Sequence, residues 1–402
     1  MKILFLTNRI PYPLNDGGNI ATFQVADGLA LKGHEVHIAA LNTRKHHMDI
    51  EQLPSQVAWH CVDIDTRLTM PGLAGGFFST FPYNVKRFRS AEYSQMLKNL
   101  QGKDSFDIIQ IEGIYMGMYV AEIRNLTNAP VILRSHNVEH RIWEGQYRSE
   151  KSILQRLYLK NLVPKIRKFE EQRIHEFDGI IAITEVDEKW YRQQGYKGKI
   201  LSIPAGVQVA RLSTVREKEQ NTGRSKKVAF IGSLEWIPNL DGVRWFLNET
   251  WPHILKAWPD AEFHLAGKGA PQEISGWKIK GLKFHGTVHD AKEFITACDV
   301  FVVPLRSGSG MRLKILEAMS LGMPVVSTRS GAEGIPVTQK ENIWIADEPL
   351  EISKAVRYLF ENQEFANKMG EQGAEFVRKN FESGVLIEKF ISFYDLLRNN
   401  RS

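Results

Sequence analysis

Short apolar runs alternate with stretches whose apolar residues recur every three or four positions along nearly the whole chain. "KILFLTN" has the pattern of a buried strand, "GNIATFQVADGLALKG" has helical spacing and stops on Gly33, and "HEVHIAAL" is strand-like again. The N-terminus therefore reads as a βαβ unit. "FDIIQIEG", "APVILRSHN" and "FDGIIAITE" are further buried-strand candidates, each separated from the next by helical stretches. Parallel strands with crossover helices predict a doubly wound sheet. From residue 226 the scheme repeats, with strand candidates "KVAFIGS", "AEFHLAG", "LKFHGTV", "DVFVVPL", "MPVVST" and "NIWIAD". The intervening "QVARLSTVREKEQNTGRS" is polar, charged and poor in large apolar residues, and residues 208–225 are read as a linker. The pattern thus predicts two tandem α/β domains, 1–207 and 226–380, facing each other across a cleft. It leaves open which of them carries the closing helix at about 381–402.

Composition narrows the class. Of the 402 residues 43% are hydrophobic and 24% charged, the balance of a globular protein in water. The formal net charge of +6 favours an anionic partner: a phosphorylated small molecule, an acidic membrane surface or nucleic acid. Nucleic acid is disfavoured, because no module of interleaved aromatic and basic residues is present. The two cysteines, Cys61 and Cys298, form no CxxC pair or Cys/His cluster, which argues against a disulfide framework or a zinc site. The apolar start "MKILFL" is too short for a signal peptide, and no run approaches the roughly 18 apolar residues of a membrane span. A cytoplasmic location is expected.

In open α/β sheets ligands sit beyond the carboxyl ends of the strands, so the loops there carry the candidate chemistry. In "RSGSGMRLKILEAMSLG", the glycines and serines of residues 307–310 let backbone N–H groups converge before a helix expected to begin near Gly310 or Met311. Such a terminus suits phosphate. At about 100° per residue, Gly310, Lys314 and Glu317 share one stripe, with Leu313, Leu316 and Met319 on the buried side. "NDGGN" places Gly17 and Gly18 at another helix start, in a connection too long for the tight turn of a GxGxxG dinucleotide site. "RSHNVEH" puts His136 directly after a strand, while His140 reads as a structural histidine. Asp63 and Asp65 in "VDIDTR" have the Asp-x-Asp form of metal-dependent sugar transferases, a pairing common by chance at polar strand ends.

Taken together, "DGGN", "SHNVEH", "IPAGV", "FIGSL", "HLAGKG", "FHGTV", "CDVFVVPL" and "KILEAMSLGMPVVST" resemble, in order and over essentially the whole chain, the retaining nucleotide-sugar-dependent glycosyltransferases of family 4, which have the GT-B fold. The resemblance implies a metal-independent transfer from a nucleoside diphosphate sugar with no cofactor, and a last helix that crosses back to the first domain. It assigns Glu317 to the ribose hydroxyls, Gly18 (with Gly17) to the donor phosphate and His136 to the transferred sugar. Val288 falls where a backbone group meets the base, and Lys268 and Gly269 beneath the nucleotide. Gly232 and Ser233, with Gly310, Met311, Arg312 and Leu313 at the helix start, complete the donor set. Two departures stand out. Ser309 occupies the place of the first glutamate in the family's Glu-x7-Glu motif. "FIGSLEWIPN" lacks the arginine and lysine that usually meet the diphosphate, so Lys314, with Arg312 or Arg306, is expected to supply that charge.

The acceptor side is read from "PGLAGGFFSTFPYNVKRFRS" and "RSEKSILQRLYLKNLVPKIRKFE", basic and partly amphipathic stretches that would suit a glycan or lipid-linked acceptor and a peripheral contact with the inner face of the membrane. Rival readings are a nucleotide-sugar sensor or inactive scaffold, favoured by the two departures, and a nucleotide-dependent oxidoreductase, disfavoured by the missing GxGxxG.

Overall fold

The computed structural model describes every residue except 15, 16, 104, 151, 208–225, 272, 273, 275, 309 and 400–402. The expected linker and Ser309 therefore lie outside the described residues. The chain divides into two compact units, residues 1–206 with the segment from Ser383, and Val207–Glu382.

The first unit is built on seven strands: β1 (Lys2–Thr7), β2 (Glu35–Thr43), β3 (Ala58–Ile64), β4 (Ile108–Glu112), β5 (Val131–Ser135), β6 (Gly179–Ala182) and β7 (Lys199–Ser202). They are all parallel and lie in the order β3-β2-β1-β4-β5-β6-β7. Ile3 pairs with Val36 on one side and Ile108 on the other. The central strands are covered on both faces, which is why they read as unbroken apolar runs rather than alternating ones. The edge strands β3 and β7 keep an exposed side and were not visible as apolar runs.

The helix Ser383–Asn399 packs on the helix Gly17–Leu31, and its Phe390, Phe393, Tyr394 and Leu397 enter the core of this unit. The fit is close. A Cβ on Gly28 would lie 2.6 Å from Ile387 Cγ1, and one on Gly179 would lie 2.7 Å from Leu397 Cδ1.

The second unit holds six parallel strands: β8 (Lys227–Ile231), β9 (Glu262–Ala266), β10 (Leu282–Phe284), β11 (Val300–Val303), β12 (Val325–Ser327) and β13 (Trp344–Ile345), in the order β10-β9-β8-β11-β12-β13. All six coincide with the apolar runs. In each sheet the order reverses beside its first strand, between β1 and β4 and between β8 and β11. Loops leaving those strands diverge and open a crevice at their carboxyl ends.

Candidate functional site

In the second unit, the loop after β11 carries the glycine-serine stretch. Gly308 and Gly310 have φ of +112° and +87°, a region that residues with a Cβ avoid, so the chain cannot be helical there. Arg312 is extended as well, and the helix begins at Leu313 rather than at Gly310 or Met311, running to Ser320. This corrects the expected stripe: Gly310 is not on it, whereas Lys314 and Glu317 remain one turn apart. Leu316 and Met319 are buried in the core. Met311 and Leu313 are half-buried and pack against it.

Lys314 reaches back over the carboxyl end of β8. Its Nζ donates to Asn239 Oδ1 at 2.9 Å and lies 4.3 Å from the centre of the Phe230 ring. Asn239 in turn donates through Nδ2 to the Ser233 carbonyl at 2.7 Å. Burial, with Arg312 nearby, lowers the Lys314 pKa to about 7, against the opposing pull of Glu317. Burial likewise raises the Glu317 pKa, with Lys314 and Lys292 opposing it. A cation and a carboxylate are thus held with little water at one crevice. The residues of "GSLEWIPN" noted as departures supply the seat for the lysine.

Arg312 is buried, donates through Nη1 to the Gly310 carbonyl and stacks on Trp236 at 5.1 Å. Arg306 turns elsewhere, to Asp241 at 3.5 Å and the Trp245 ring at 5.8 Å. The loops after β8, β9 and β10 lie against one another. Gly232 N–H donates to the Ala266 carbonyl at 3.0 Å, Leu234 N–H to the Lys268 carbonyl at 2.9 Å, and Gly267 N–H to the Gly286 carbonyl at 2.7 Å. Gly269, at φ +68°, sits over Glu235, and Val288 is half-buried in the loop that follows β10. Gly232, Ser233, Lys268 and Gly269 therefore belong to one set of post-strand loops, with Val288 at its margin, and Lys314 reaches them from the helix Leu313–Ser320.

The first unit has a separate cavity of about 530 Å³ where β1 and β4 diverge. Gly18, Asn19, Thr22, Glu112, His136 and Glu139 are among its walls. Gly17 and Gly18 open the helix Gly17–Leu31. His136 Nε2 is 2.6 Å from Glu112 Oε2, which also accepts from Thr22 Oγ1 at 3.1 Å. Glu112 Oε1 accepts from Gln110 Nε2 at 2.6 Å, and Gln110 Oε1 accepts from the Tyr394 hydroxyl at 2.5 Å. Burial would raise the Glu112 pKa, but the Arg134 guanidinium, 3.9 Å away, with His136 and Gln110, brings it below the ordinary carboxylate value. Glu112 is thus an ionised, buried anchor for His136.

The pattern of residues did not single out Glu112. Its one signal is a carboxylate at the carboxyl end of an apolar strand, two residues after a glutamine on the same face.

Glu139 lines the same cavity. Burial, together with Glu170, raises its pKa to about 7 despite the Tyr115 hydroxyl. His140 is buried, bonded to Glu170 at 2.8 Å and packed on Trp190, a structural role. Asp63 and Asp65 are exposed, Asp63 with its carboxylate 3.6 Å from the His47 ring nitrogen and Asp65 paired with Arg67 at 2.5 Å.

Residues 15–211 match the family model described as Glycosyltransferase Family 4, and residues 225–362 match that described as Glycosyl transferases group 1. The chain is similar to an uncharacterized 44.6 kDa protein in the cps region of Klebsiella pneumoniae, 23% identical over 392 residues, which span 95% of this chain and 97% of that one. It is also similar to a phosphatidyl-myo-inositol mannosyltransferase of Mycobacterium leprae, 23% identical over 56% of this chain and 60% of that protein. Among solved structures, Anabaena HepE in complex with UDP has the same fold, with a TM-score of 0.68 and 14% identity over 98% of this chain and all of the other (100%).

Proposed function

The chain belongs to glycosyltransferase family 4, an enzyme of the hexosyltransferase type with the GT-B fold, and from that premise we propose that it moves a sugar, with retention and without a metal, from a nucleoside diphosphate sugar to a glycan or lipid-linked acceptor of a cell-surface polysaccharide or glycolipid. The observation that carries this reading is the Lys314–Asn239 pair beside Glu317 in the second unit. Departure of a nucleoside diphosphate develops negative charge, and a preorganised, poorly hydrated cation meets such charge without reorganisation. Glu317, one turn on, is the acceptor for ribose hydroxyls. In a retaining transfer the acceptor attacks from the face the phosphate leaves, and a phosphate oxygen takes its proton, so no carboxylate base is required. Asp63 and Asp65 are held by His47 and Arg67, which supports assigning them no part in the transfer. The UDP bound by HepE makes a uridine donor the first to try.

The first unit supplies the acceptor side. The helix Met70–Phe78 packs on the helix Ile153–Arg173, where Lys165 Nζ donates to the carbonyls of Gly76 and Phe77 at 2.9 and 2.8 Å. Phe78, Ile153 and Leu154 remain 87%, 85% and 80% exposed, beside exposed Arg156 and Lys160. Exposed apolar residues flanked by cations suit the interface of an acidic membrane. None of the described helices is long and apolar enough to cross a membrane. A cytoplasmic protein visiting the inner leaflet fits both features.

Turnover of a panel of UDP-, GDP- and ADP-sugars without acceptor tests the reading. Hydrolysis of one donor is expected. Binding without turnover would favour a nucleotide-sugar sensor, and no binding at all would remove the donor assignment.

A further inference from the structure

The walls of the first unit's cavity are strongly unequal in charge. Among the described residues Arg9, Arg44, Lys45, Arg67 and Arg87 line it, against the carboxylates of Glu112 and Glu139. Glu112 is already committed to Arg134 and His136. Arg67, with Arg44 at 4.0 Å, shares the exposed Asp65. Lys45 is exposed.

Arg87 differs from the others. It is half-buried, stacks on the Phe88 ring at 4.8 Å and donates through Nη1 to the Thr66 carbonyl at 3.2 Å. Its Nε is buried without a hydrogen-bond partner, and among the described residues no carboxylate figures among the charges that act on it. Its polar neighbours are the phenols of Tyr115, Tyr158 and Tyr83, and desolvation lowers its pKa. A guanidinium withdrawn from water without a counter-charge is costly to the fold, and an arriving anion offsets that cost. Arg presents a planar fork of donors that matches the oxygens of a phosphoryl group.

We infer that this cavity seats an anionic group of the acceptor, a phosphate ester, on Arg87, with Lys45 and Arg44 adding charge from the exposed wall. This rests on the reading of the first unit as the acceptor side. Tyr115 lies within electrostatic reach of both Arg87 and Glu139. The acceptor is thereby oriented, its phosphate towards Arg87 and its hydroxyls towards Glu139 and His136, where a second anion would be repelled.

The test is calorimetric titration of inorganic phosphate and of pyrophosphate into the full chain, presaturated with whichever of UDP, GDP and ADP it binds. Wild-type protein is expected to bind, and Arg87→Gln to bind at least about tenfold more weakly, as loss of a charged hydrogen bond implies. Nucleotide affinity should be unchanged in the variant. Lys45→Gln, at an exposed position that does not threaten folding, should weaken binding about two- to fivefold by loss of one screened charge.

Equal phosphate affinity in wild type and both variants overturns the inference, even where nucleotide binding upholds the transferase reading. Failure to bind any nucleotide overturns that reading instead. Pelleting with phosphatidylglycerol vesicles separates two sources of the phosphate. Loss of pelleting in Arg87→Gln, alongside lost phosphate binding, assigns the seat to a lipid headgroup. Retained pelleting with lost phosphate binding assigns it to the phosphate of a soluble or protruding acceptor.

Discussion

Lys314 and Asn239 lie 75 residues apart in sequence, yet the lysine Nζ donates a 2.9 Å hydrogen bond to the asparagine Oδ1, tying the helix after β11 to the first turn of the helix Ile237–Trp245 that follows β8. Gly232 leaves the space for it. A Cβ at this position would stand 2.2 Å from Nζ. Gly232→Ala should displace the flexible end of the lysine while leaving the fold intact. Nucleoside diphosphate affinity is expected to fall about tenfold, the scale of one charge-assisted hydrogen bond, with melting temperature nearly unchanged. Calorimetry and thermal denaturation of the same variant check both parts, and unchanged affinity would separate Lys314 from the diphosphate.

A lysine with a pKa of about 7 is mostly neutral at pH 8 in the free protein. An incoming diphosphate favours the ammonium form and raises that pKa, so binding at pH 8 should take up protons, while the diphosphate itself, with its last pKa near about 6, releases none. Titrations in buffers of different ionisation enthalpy measure the uptake. Lys314→Met should abolish it.

Glu317→Ala removes the carboxylate that would accept from the ribose. The loss is about 1.5–3 kcal/mol per charged hydrogen bond, or one to two decades in donor KM. Comparing a ribose donor with its 2′-deoxy counterpart gives a sharper check. The wild type should discriminate between them and the variant should not.

Glu112→Gln would leave His136 without its ionised anchor and Arg134 buried without a counter-charge. The first effect should lower kcat with donor affinity unchanged. The second should destabilise the first unit by about 3–5 kcal/mol, the usual cost of breaking a buried pair. His136→Asn, which keeps the Arg134–Glu112 pair, should show the fall in kcat without the loss of stability. Equal stability losses in the two variants would contradict the anchoring role.

Glu139 makes the first unit sensitive to pH. Its carboxyl has a pKa of about 7 in the folded chain against an ordinary 4.5. Between these values folding takes up a proton, so stability falls as pH rises from about 4.5 through 7. Glu139→Gln should flatten that slope, as denaturant midpoints at pH 5 and pH 8 would show.

The buried strands were legible because strands covered on both faces carry apolar side chains at every position. β3 and β7 escaped notice since each keeps a wet side. Lys314 and Glu317 were visible from their spacing alone, but the start of their helix was not. The left-handed φ of Gly310 delays it to Leu313, and such a dihedral leaves no trace in a pattern of apolar positions. Glu112 reaches His136 only because β4 lies beside β5, in a register that sets Glu112 against Arg134. Asn239 looked like the mere absence of a lysine. Its part as the seat of Lys314 required the fold.

The helix Ser383–Asn399 has a consequence for how the molecule is made. Tyr394 bonds to Gln110, which holds Glu112 beneath His136, so the first unit's cavity depends on residues that leave the ribosome after the entire second unit. While residues 207–382 are being synthesised, the helix Gly17–Leu31 and strand β6 wait with uncovered apolar faces, shaped by Gly28 and Gly179 for a partner not yet translated. The cavity is therefore completed last, and a chain truncated before residue 383 would carry every residue of the second unit and an unfinished first one.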